Sequence, residues 1–578
     1  MINYLNKVVI ILSQLNARLK TDLFYLEDFM SFLKVIFITL VACVSQQVQA
    51  ADIEILFTYG SEKENWIKEV TEQFNAAHHK INDGKVIKVI HKPMGSGDLI
   101  NSALNGEVQA HIVSPASDFY MTLGNAESVE KTGKNLTNTQ RQDLVRSPVI
   151  IAMWKPMAEA LGWGKKPIGW EEILNMVGEP EGWKKYGHPE WGNFKFGHTH
   201  PKYSNSGLTS LITEVYAGAR KVKDLTIADV SSPDVRNYVQ SIENGVVHYG
   251  ESTGFFGKKM FKWGANFLSA AVLYENMVIE SYSSKEKLEF PVVAIYPKEG
   301  TFWTNHPVSV IERDWVKPEH REAAKKYIDY LLDRPQQEKA VKYGFRPVDQ
   351  NISLSATFNQ EHGVDLNQPT TLLEVPQAAV MKEILGLWEE RKKHGDVVLA
   401  VDISGSMKGD KLVKAKEGAL KFLGEMSDED SFSLVIFNNE VSWLIKQKPL
   451  RECRQEAEKK IQNLFAGGNT ALYDSALQSY QLLKNNPQKN RISAVVILSD
   501  GEDTSTKPNS PEAEAKLKNL LSTIALREEA PILFFPIGYG KDAKQDILKL
   551  IADETKTKAF SGETDNIKKV FLEISTFF

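Results

Sequence analysis

Val397-Val398-Leu399-Ala400-Val401-Asp402-Ile403-Ser404-Gly405-Ser406-Met407 is an apolar run that stops at the cluster Asp-x-Ser-x-Ser. The run reads as a buried parallel strand whose C-terminal end presents one carboxylate and two hydroxyls to a single spot. Oxygens gathered this way suit a hard divalent cation. Two later segments repeat the geometry. Gly467-Gly468-Asn469-Thr470 leads into a predicted helix, and Ala494-Val495-Val496-Ile497-Leu498-Ser499-Asp500-Gly501 is a second apolar run ending at an aspartate. Three loops at one sheet edge can share one ion. Asp-x-Ser-x-Ser taken alone is also an ordinary turn and helix N-cap pattern, so the coincidence of the three loops carries the reading.

Outward from this stretch the alternation of strands and helices continues. Helices are predicted at 411–426, after Thr470, at 511–525 and at 545–552, with strands at 432–437 and 531–538. That order makes a doubly wound α/β sheet, in which ligands sit at the carboxyl ends of strands, where Asp402 and Asp500 fall. Asp402, Ser404, Ser406, Thr470 and Asp500, in that order and at those spacings, resemble the metal-ion-dependent adhesion site of von Willebrand factor type A domains. The resemblance covers 396–578. It implies a Rossmann-like fold and a bound Mg²⁺ (or Ca²⁺ or Mn²⁺) touched by the two serines and the threonine, with the aspartates acting directly or through water. One coordination position is then left for an exposed Asp or Glu of a protein partner. Neutral hydroxyls in the inner shell leave the ion much of its charge, which agrees with that role.

The first half also alternates. Strands are predicted at 53–58, 85–90 and 110–115, with helices at 60–75 and from the Gly95-Ser96-Gly97 turn onward. A strand-helix-strand-helix order means a parallel sheet. The loops Tyr59-Gly60-Ser61 and Gly95-Ser96-Gly97-Asp98-Leu99, the strand 147–152, the turn His200-Pro201-Lys202-Tyr203-Ser204-Asn205-Ser206-Gly207 and the tail 329–347 together resemble type II periplasmic solute-binding proteins of bacterial ABC importers. The resemblance covers 51–364 and implies a bilobed unit, one lobe about 51–150 plus 285–350 and the other 151–284, closing on a small solute.

Ser61, Ser96 and Ser204 to Ser206 stand where helices begin, and free N–H groups there seat an anion. The same serines read equally well as plain N-caps. The resemblance to oxyanion binders points to these positions and to Tyr274 as a hinge-side donor. The candidate ligand contacts are Tyr59, Ser61, Ser96, Ser114, Ser204, Asn205, Ser206 and Tyr274. Glu62 and Glu275 argue for a cation or amine instead. Trp154, Trp163, Trp170, Trp183, Trp191 and Trp303 would suit a sugar cleft, yet scattered tryptophans read better as packing. His198 and His200, with His306, are a weak metal candidate because no carboxylate or thiol stands at metal-ligand spacing.

Between the units, 365–395 holds Val380, Met381, Ile384, Leu387 and Trp388 on one helical face, which predicts a docked linker helix rather than a flexible tether. At the N-terminus, 30–50 has the basic start, short apolar core and small-residue exit of a secretory signal, with 1–29 an upstream extension. Leu40-Val41-Ala42-Cys43 also resembles a lipoprotein box, which would attach the chain to the membrane through a lipidated Cys43. Either reading expects a periplasmic or extracellular protein. Cys43 and Cys453 offer no disulfide framework.

The 578-residue chain is 42% hydrophobic and 25% charged, a globular composition with room for two to four compact units. A formal charge of −5 argues against nucleic acid as a partner. Nucleophile-elbow, phosphate-loop and His-Glu-x-x-His patterns are missing from the sequence, so a non-enzymatic binding role is expected. The leading expectation is an exported bacterial binding or adaptor protein. It combines a solute cleft, of oxyanion type, with a Mg-dependent site that captures an acidic residue of a partner. The alternatives are the receptor component of an ABC-type importer with an accessory type A domain, and a metal-assisted hydrolase or chelatase-like enzyme.

Overall fold

In the computed structural model the described residues run from 52 to 577, apart from 139–140, 284–287, 355, 489, 501–502, 508–509, 526–530, 541–542, 564–566 and 576. The segment 30–50 read as a secretory signal, Cys43 included, lies outside them. Among the described residues the strands fall into three sheets. In the first, Ile53–Gly60 runs parallel to Ile87–Met94 on one side and Ile112–Ser114 on the other. Pro307–Val310 joins antiparallel beside Ile112–Ser114.

The second sheet is organised by Val145–Trp154, a ten-residue strand that is buried nearly throughout. Its first half pairs with the returning Trp303–Thr304 and Arg346–Pro347, and its second half with Ala270–Tyr274 and Val292–Ile295. Phe196–Thr199 lies parallel to Ala270–Tyr274 and to Val246–Gly250. A run such as Val149 to Trp154 is apolar at every position because both of its faces are covered. The second lobe reaches further along the chain than the 151–284 read from sequence. Val292–Ile295 needs ladder partners and finds them at Ile151 to Trp154, so the chain returns to the first sheet only at Pro307–Val310. Phe358, Val364 and Leu373 pack into the same core as this lobe.

The third sheet has the order Val441–Pro449, Ser431–Phe437, His394–Asp402, Arg491–Ser499, Ile532–Tyr539, Phe560–Gly562. All neighbours are parallel except the antiparallel edge strand Val441–Pro449. Val397 to Val401 are at most 2% exposed, as a central strand covered by helices on both faces requires. The edge strand and the helix Leu450–Gln462 that follows it were not expected as a pair. Their residues are mostly polar and half exposed, which leaves little apolar period to read. Cys453 lies on that helix, buried.

The linker stripe forms the helix Ala378–Arg391, with Val380, Met381, Ile384, Leu387 and Trp388 all buried. It packs on the second-lobe helices Asn205–Ala219, Ile227–Val230 and Pro233–Glu243. One apolar cluster runs continuously from the second lobe through Ile384 and Trp388 to Leu399 and Phe422 of the third-sheet unit. The pairs Lys202–Glu389 and Arg236–Glu390, partly solvated, add little to that contact. No helix among the described residues is long and apolar enough to cross a membrane.

Candidate functional site

His394–Asp402 and Arg491–Ser499 are parallel neighbours that end at one sheet edge, so Asp402 and Asp500 emerge side by side. Ser499 donates its hydroxyl to Asp402 Oδ2 at 2.6 Å, and the Ser404 N–H donates to Asp402 Oδ1 at 2.8 Å. The Ser404 and Ser406 hydroxyls stand 2.9 Å apart, and Ser406 donates to Asp500 Oδ1 at 2.7 Å. Four of the five expected ligands thus form one connected set of oxygens. The Thr470 loop is tied to both flanks. Gly405 donates its N–H to the Gly468 carbonyl and Gly467 to that of Ile403, while Thr470 exchanges backbone and hydroxyl hydrogen bonds with Thr504, both at 2.8 Å.

Asp402 is fully buried, and burial, with the Asp500 charge adding to it, pushes its carboxyl up to about 6 against hydrogen bonds from the serines. A cation beside it would reverse that penalty. The donors are all oxygens, two of them hydroxyls, which is the chemistry a hard divalent ion takes. Lys411, in the first turn of Asp410–Glu425, already brings a positive charge to Asp500 Oδ2 at 2.7 Å. The residues present therefore fit a divalent ion.

In the first unit the small-hydroxyl loops of the two lobes meet each other. Gly97 and Asp98, at the start of Ser96–Leu104, donate their N–H groups to the Tyr203 carbonyl at 2.9 and 3.2 Å. Ser61 donates to Ser252 Oγ at 2.9 Å and accepts the Gly254 N–H at 2.9 Å. Ser117 donates to Asn205 Oδ1, and Asn205 Nδ2 donates to the Tyr274 hydroxyl at 3.0 Å. Ser204, Ser206, Thr199 and Thr253 join hydroxyls at 2.8–3.2 Å. The lobes are shut, and the donors at the helix starts are engaged by the chain itself. Closure depends on glycine: a Cβ on Gly95 would lie 2.4 Å from the Tyr203 carbonyl oxygen, and one on Gly97 2.3 Å from that of Lys202.

Of the expected ligand contacts, Ser61, Ser204, Asn205, Ser206 and Tyr274 line this junction, and Ser96 sits at its edge with its hydroxyl accepting the Ala116 N–H. Tyr59 does not belong with them. Its ring is fully buried in the first-lobe core, 5.0 Å from Phe57, and its hydroxyl pairs with His91. Its neighbour across the ladder, Ser114, is equally buried on the central strands.

The family model described as bacterial extracellular solute-binding protein matches residues 55–346. The chain belongs to that family. The von Willebrand factor type A domain model matches 396–572, so a periplasmic-binding-protein-like unit precedes a Rossmann-like type A domain. The type A region is similar to inter-alpha-trypsin inhibitor heavy chain H1 of Mesocricetus auratus, 29% identical over 166 residues, and to heavy chain H4 of Homo sapiens, 28% identical over 167 residues. Those matches cover 28% and 27% of this chain and 17% of each relative, so the chain spans a small part of the curated relatives it matches. Among solved structures, a periplasmic thiamin binding protein shares 14% identity, covering 59% of this chain and 96% of its own with a TM-score of 0.42. A von Willebrand factor type A protein from Catenulispora acidiphila shares 21%, covering 32% and 42% with a TM-score of 0.28.

In this solute-binding unit the two glutamates that argued for a cationic solute are already neutralised. Glu62 pairs with buried Lys63 at 2.7 Å and with His306 at 3.2 Å. Burial alone would raise the Glu62 carboxyl, but Lys63 and His306 outweigh it and bring it to about 2. Glu275 is held by Arg346 through two contacts of 2.8 Å. The histidines do not converge: His200 packs on Trp388 at 4.6 Å, His306 bonds Thr304, and His198 faces Glu243. Trp154, Trp170 and Trp183 are core residues at 0–1% exposure, and Trp303 stacks beneath Arg346 at 4.8 Å.

Sequence reasoning missed several residues at both sites. Ser499 and Lys411 act on the two aspartates, and Asp503 accepts the Tyr473 N–H at 2.8 Å, anchoring the helix behind Thr470. Ser252 and Thr253 open the helix Thr253–Trp263 with the same small-hydroxyl pattern as the loops that were recognised, so that signal was present in the sequence.

Proposed function

We propose that the protein is an exported adaptor whose type A domain holds Mg²⁺ through Asp402, Ser404, Ser406, Thr470 and Asp500 and captures an acidic side chain of a protein partner. The observation that carries this reading is the hydrogen-bonded set at the sheet edge that runs from Asp402 through the Ser404 N–H and the Ser404 and Ser406 hydroxyls to Asp500. The ion would supply an exchangeable position for a carboxylate. The protein's own part is to hold the three hydroxyls and two carboxylates at one point and to keep Asp402 dry. The families matched are binding families, which favours capture over turnover.

The solute-binding unit supplies the second half of the role. Its helix starts support a small anionic solute, an oxyanion, that would take the place of the Tyr203 carbonyl at the N–H groups of Gly97 and Asp98, with the lobes closing around it. Delivery to an importer is the alternative use of the same cleft. For the adaptor reading, purified chain immobilised on resin and exposed to an envelope extract should retain a partner in Mg²⁺. It should lose that partner in chelator and in Asp402→Ala or Asp500→Ala. Retention that survives chelator would overturn the reading. For the cleft, a thermal-shift panel of sulfate, molybdate, phosphate, sugars and amines should single out an oxyanion, since a ligand stabilises in proportion to the logarithm of its concentration over its dissociation constant.

A further inference from the structure

The structure assigns a second metal site, in the interior of the second lobe, to His198, Glu214 and Glu243, with a zinc-class divalent ion as its occupant. His198 lies on the strand Phe196–Thr199, Glu214 on the helix Asn205–Ala219, and Glu243 is the last residue of Pro233–Glu243. One ligand atom from each lies within 4.8 Å of the other two, and all three side chains are completely buried.

The hydrogen bonds around the triad orient it as ligands are oriented around a metal. His198 Nδ1 lies 2.8 Å from the Thr199 carbonyl oxygen, which can only accept, so Nδ1 carries the proton. In a neutral ring the lone pair is then on Nε2, which points at Glu243 Oε1 at 3.0 Å. Two acceptors facing each other at that distance require a proton or a cation between them. Ser210 donates to Glu214 Oε1 at 2.9 Å and Tyr249 donates to Glu243 Oε2 at 2.5 Å, so each ligand has a supporting partner of the kind metal sites use. Glu214 Oε2 is left over: it is buried and has no hydrogen-bond partner.

One divalent ion settles each of these demands. Two carboxylates and a neutral imidazole around M²⁺ sum to zero charge, whereas the bare triad must bury an excess negative charge or hold extra protons. A tetrahedral zinc with bonds of about 2.0 Å sets its donors about 3.3 Å apart, close to the His198–Glu243 separation. Nitrogen with carboxylate oxygen is a zinc donor set. Because the site is sealed, the ion would be acquired as the lobe folds. Its position gives it a job. The helix bearing Glu214 begins at the cleft with Asn205, and Tyr249, which holds Glu243, packs on Trp388 of the linker helix at 5.6 Å. The ion would lock the cleft helix to the platform on which the linker docks.

The test uses the full chain carrying Asp402→Ala and Asp500→Ala, so that the type A site contributes no ion. Expressed with zinc and dialysed, this chain should retain about one zinc per molecule by elemental analysis, with a nitrogen and oxygen shell by X-ray absorption. Adding Glu214→Gln or His198→Ala should reduce retention at least tenfold. Should those variants fail to fold, the parent refolded from denaturant with and without zinc is decisive: zinc should raise its melting temperature by several degrees. A parent that retains no stoichiometric metal and refolds identically without zinc overturns the proposal, as does zinc retained unchanged in folded Glu214→Gln. The outcome is independent of whether the type A site captures a partner.

Discussion

The carbonyl of Tyr203 accepts the N–H of Gly97 at 2.9 Å, from the second lobe to the first, while the Tyr203 hydroxyl reaches Glu425 of the type A domain at 3.4 Å. One residue of the second lobe therefore touches both the first lobe and the type A domain. The coupling proposed between the solute cleft and the type A domain would run through this residue.

Gly97 tests that route. Replacing it by Ala puts a Cβ about where the Lys202 carbonyl oxygen sits, 2.3 Å away, and backbone cannot yield as a side-chain tip would. The helix itself tolerates Ala better than Gly, by roughly 0.5–1 kcal/mol. Gly97→Ala should therefore keep its fold and hold the lobes apart, read as a larger radius of gyration in solution scattering. An unchanged profile would show that closure does not rest on this contact.

The proposed metal site at Asp402 and Asp500 makes two opposed predictions. Asp402→Asn keeps the shape but removes the charge that Ser404 and Ser499 orient, and should weaken Mg²⁺ binding by about 10–100-fold in calorimetric titration. Lys411→Met removes the ammonium paired with Asp500, which would compete with the proposed ion. It should tighten Mg²⁺ by up to about fivefold, the ~1 kcal/mol scale of a partly exposed ion pair. Weaker binding in Lys411→Met would mean that Lys411 positions Asp500 rather than competing for it.

The sheet edge at Asp402 was legible because a strand buried on both faces is apolar at every position, so the polar cluster there stands out against Val397 to Val401. The linker helix was legible for a similar reason, its stripe from Val380 to Trp388 being fully used. The lobe boundary was not, because Val292–Ile295 carries no mark of which sheet it joins; only the ladder to Ile151–Trp154 decides that. Tyr59 misled because proximity in sequence to Ser61 says nothing about which side of the strand it faces. The triad of His198, Glu214 and Glu243 spans 45 residues between its ligands, and its acids sit on two helices whose packing alone brings them together.

Across the junction of the two units, Glu573 of the type A domain shares a buried pocket with Glu251 of the solute-binding unit, beside Lys558 and Lys259. Burial and the Glu251 charge push Glu573 up to about 8, while Lys259, the hydrogen bond from Glu573 and Lys558 together outweigh burial and lower the Glu251 carboxyl. The unfolded chain ionises Glu573 near 4.5, so between that pH and 8 it holds fewer protons than the folded chain. The contribution is complete below about 4.5 and is lost as pH rises through 8. Glu573→Gln should flatten the fall of melting temperature between pH 5 and 8 and raise it at pH 8 by about 2–4 °C for each ~1 kcal/mol recovered. A slope equal to that of the parent chain would count against a shared proton at this junction.

Trp388 decides how firmly the linker helix is held. Its ring is completely buried against His200 and Tyr249, at 4.6 and 5.6 Å, and its indole N–H is buried without a hydrogen-bond partner. Trp388→Ala leaves a large cavity and should cost about 3–5 kcal/mol, seen as a lower calorimetric midpoint for the solute-binding unit. Trp388→Phe leaves a smaller cavity and removes the unpaired donor, so part of the loss is offset and the cost should be well under half as great. The pair separates packing from hydrogen bonding. Equal losses in the two variants would mean that the indole nitrogen has an acceptor after all and that the linker is held by that bond rather than by its apolar face.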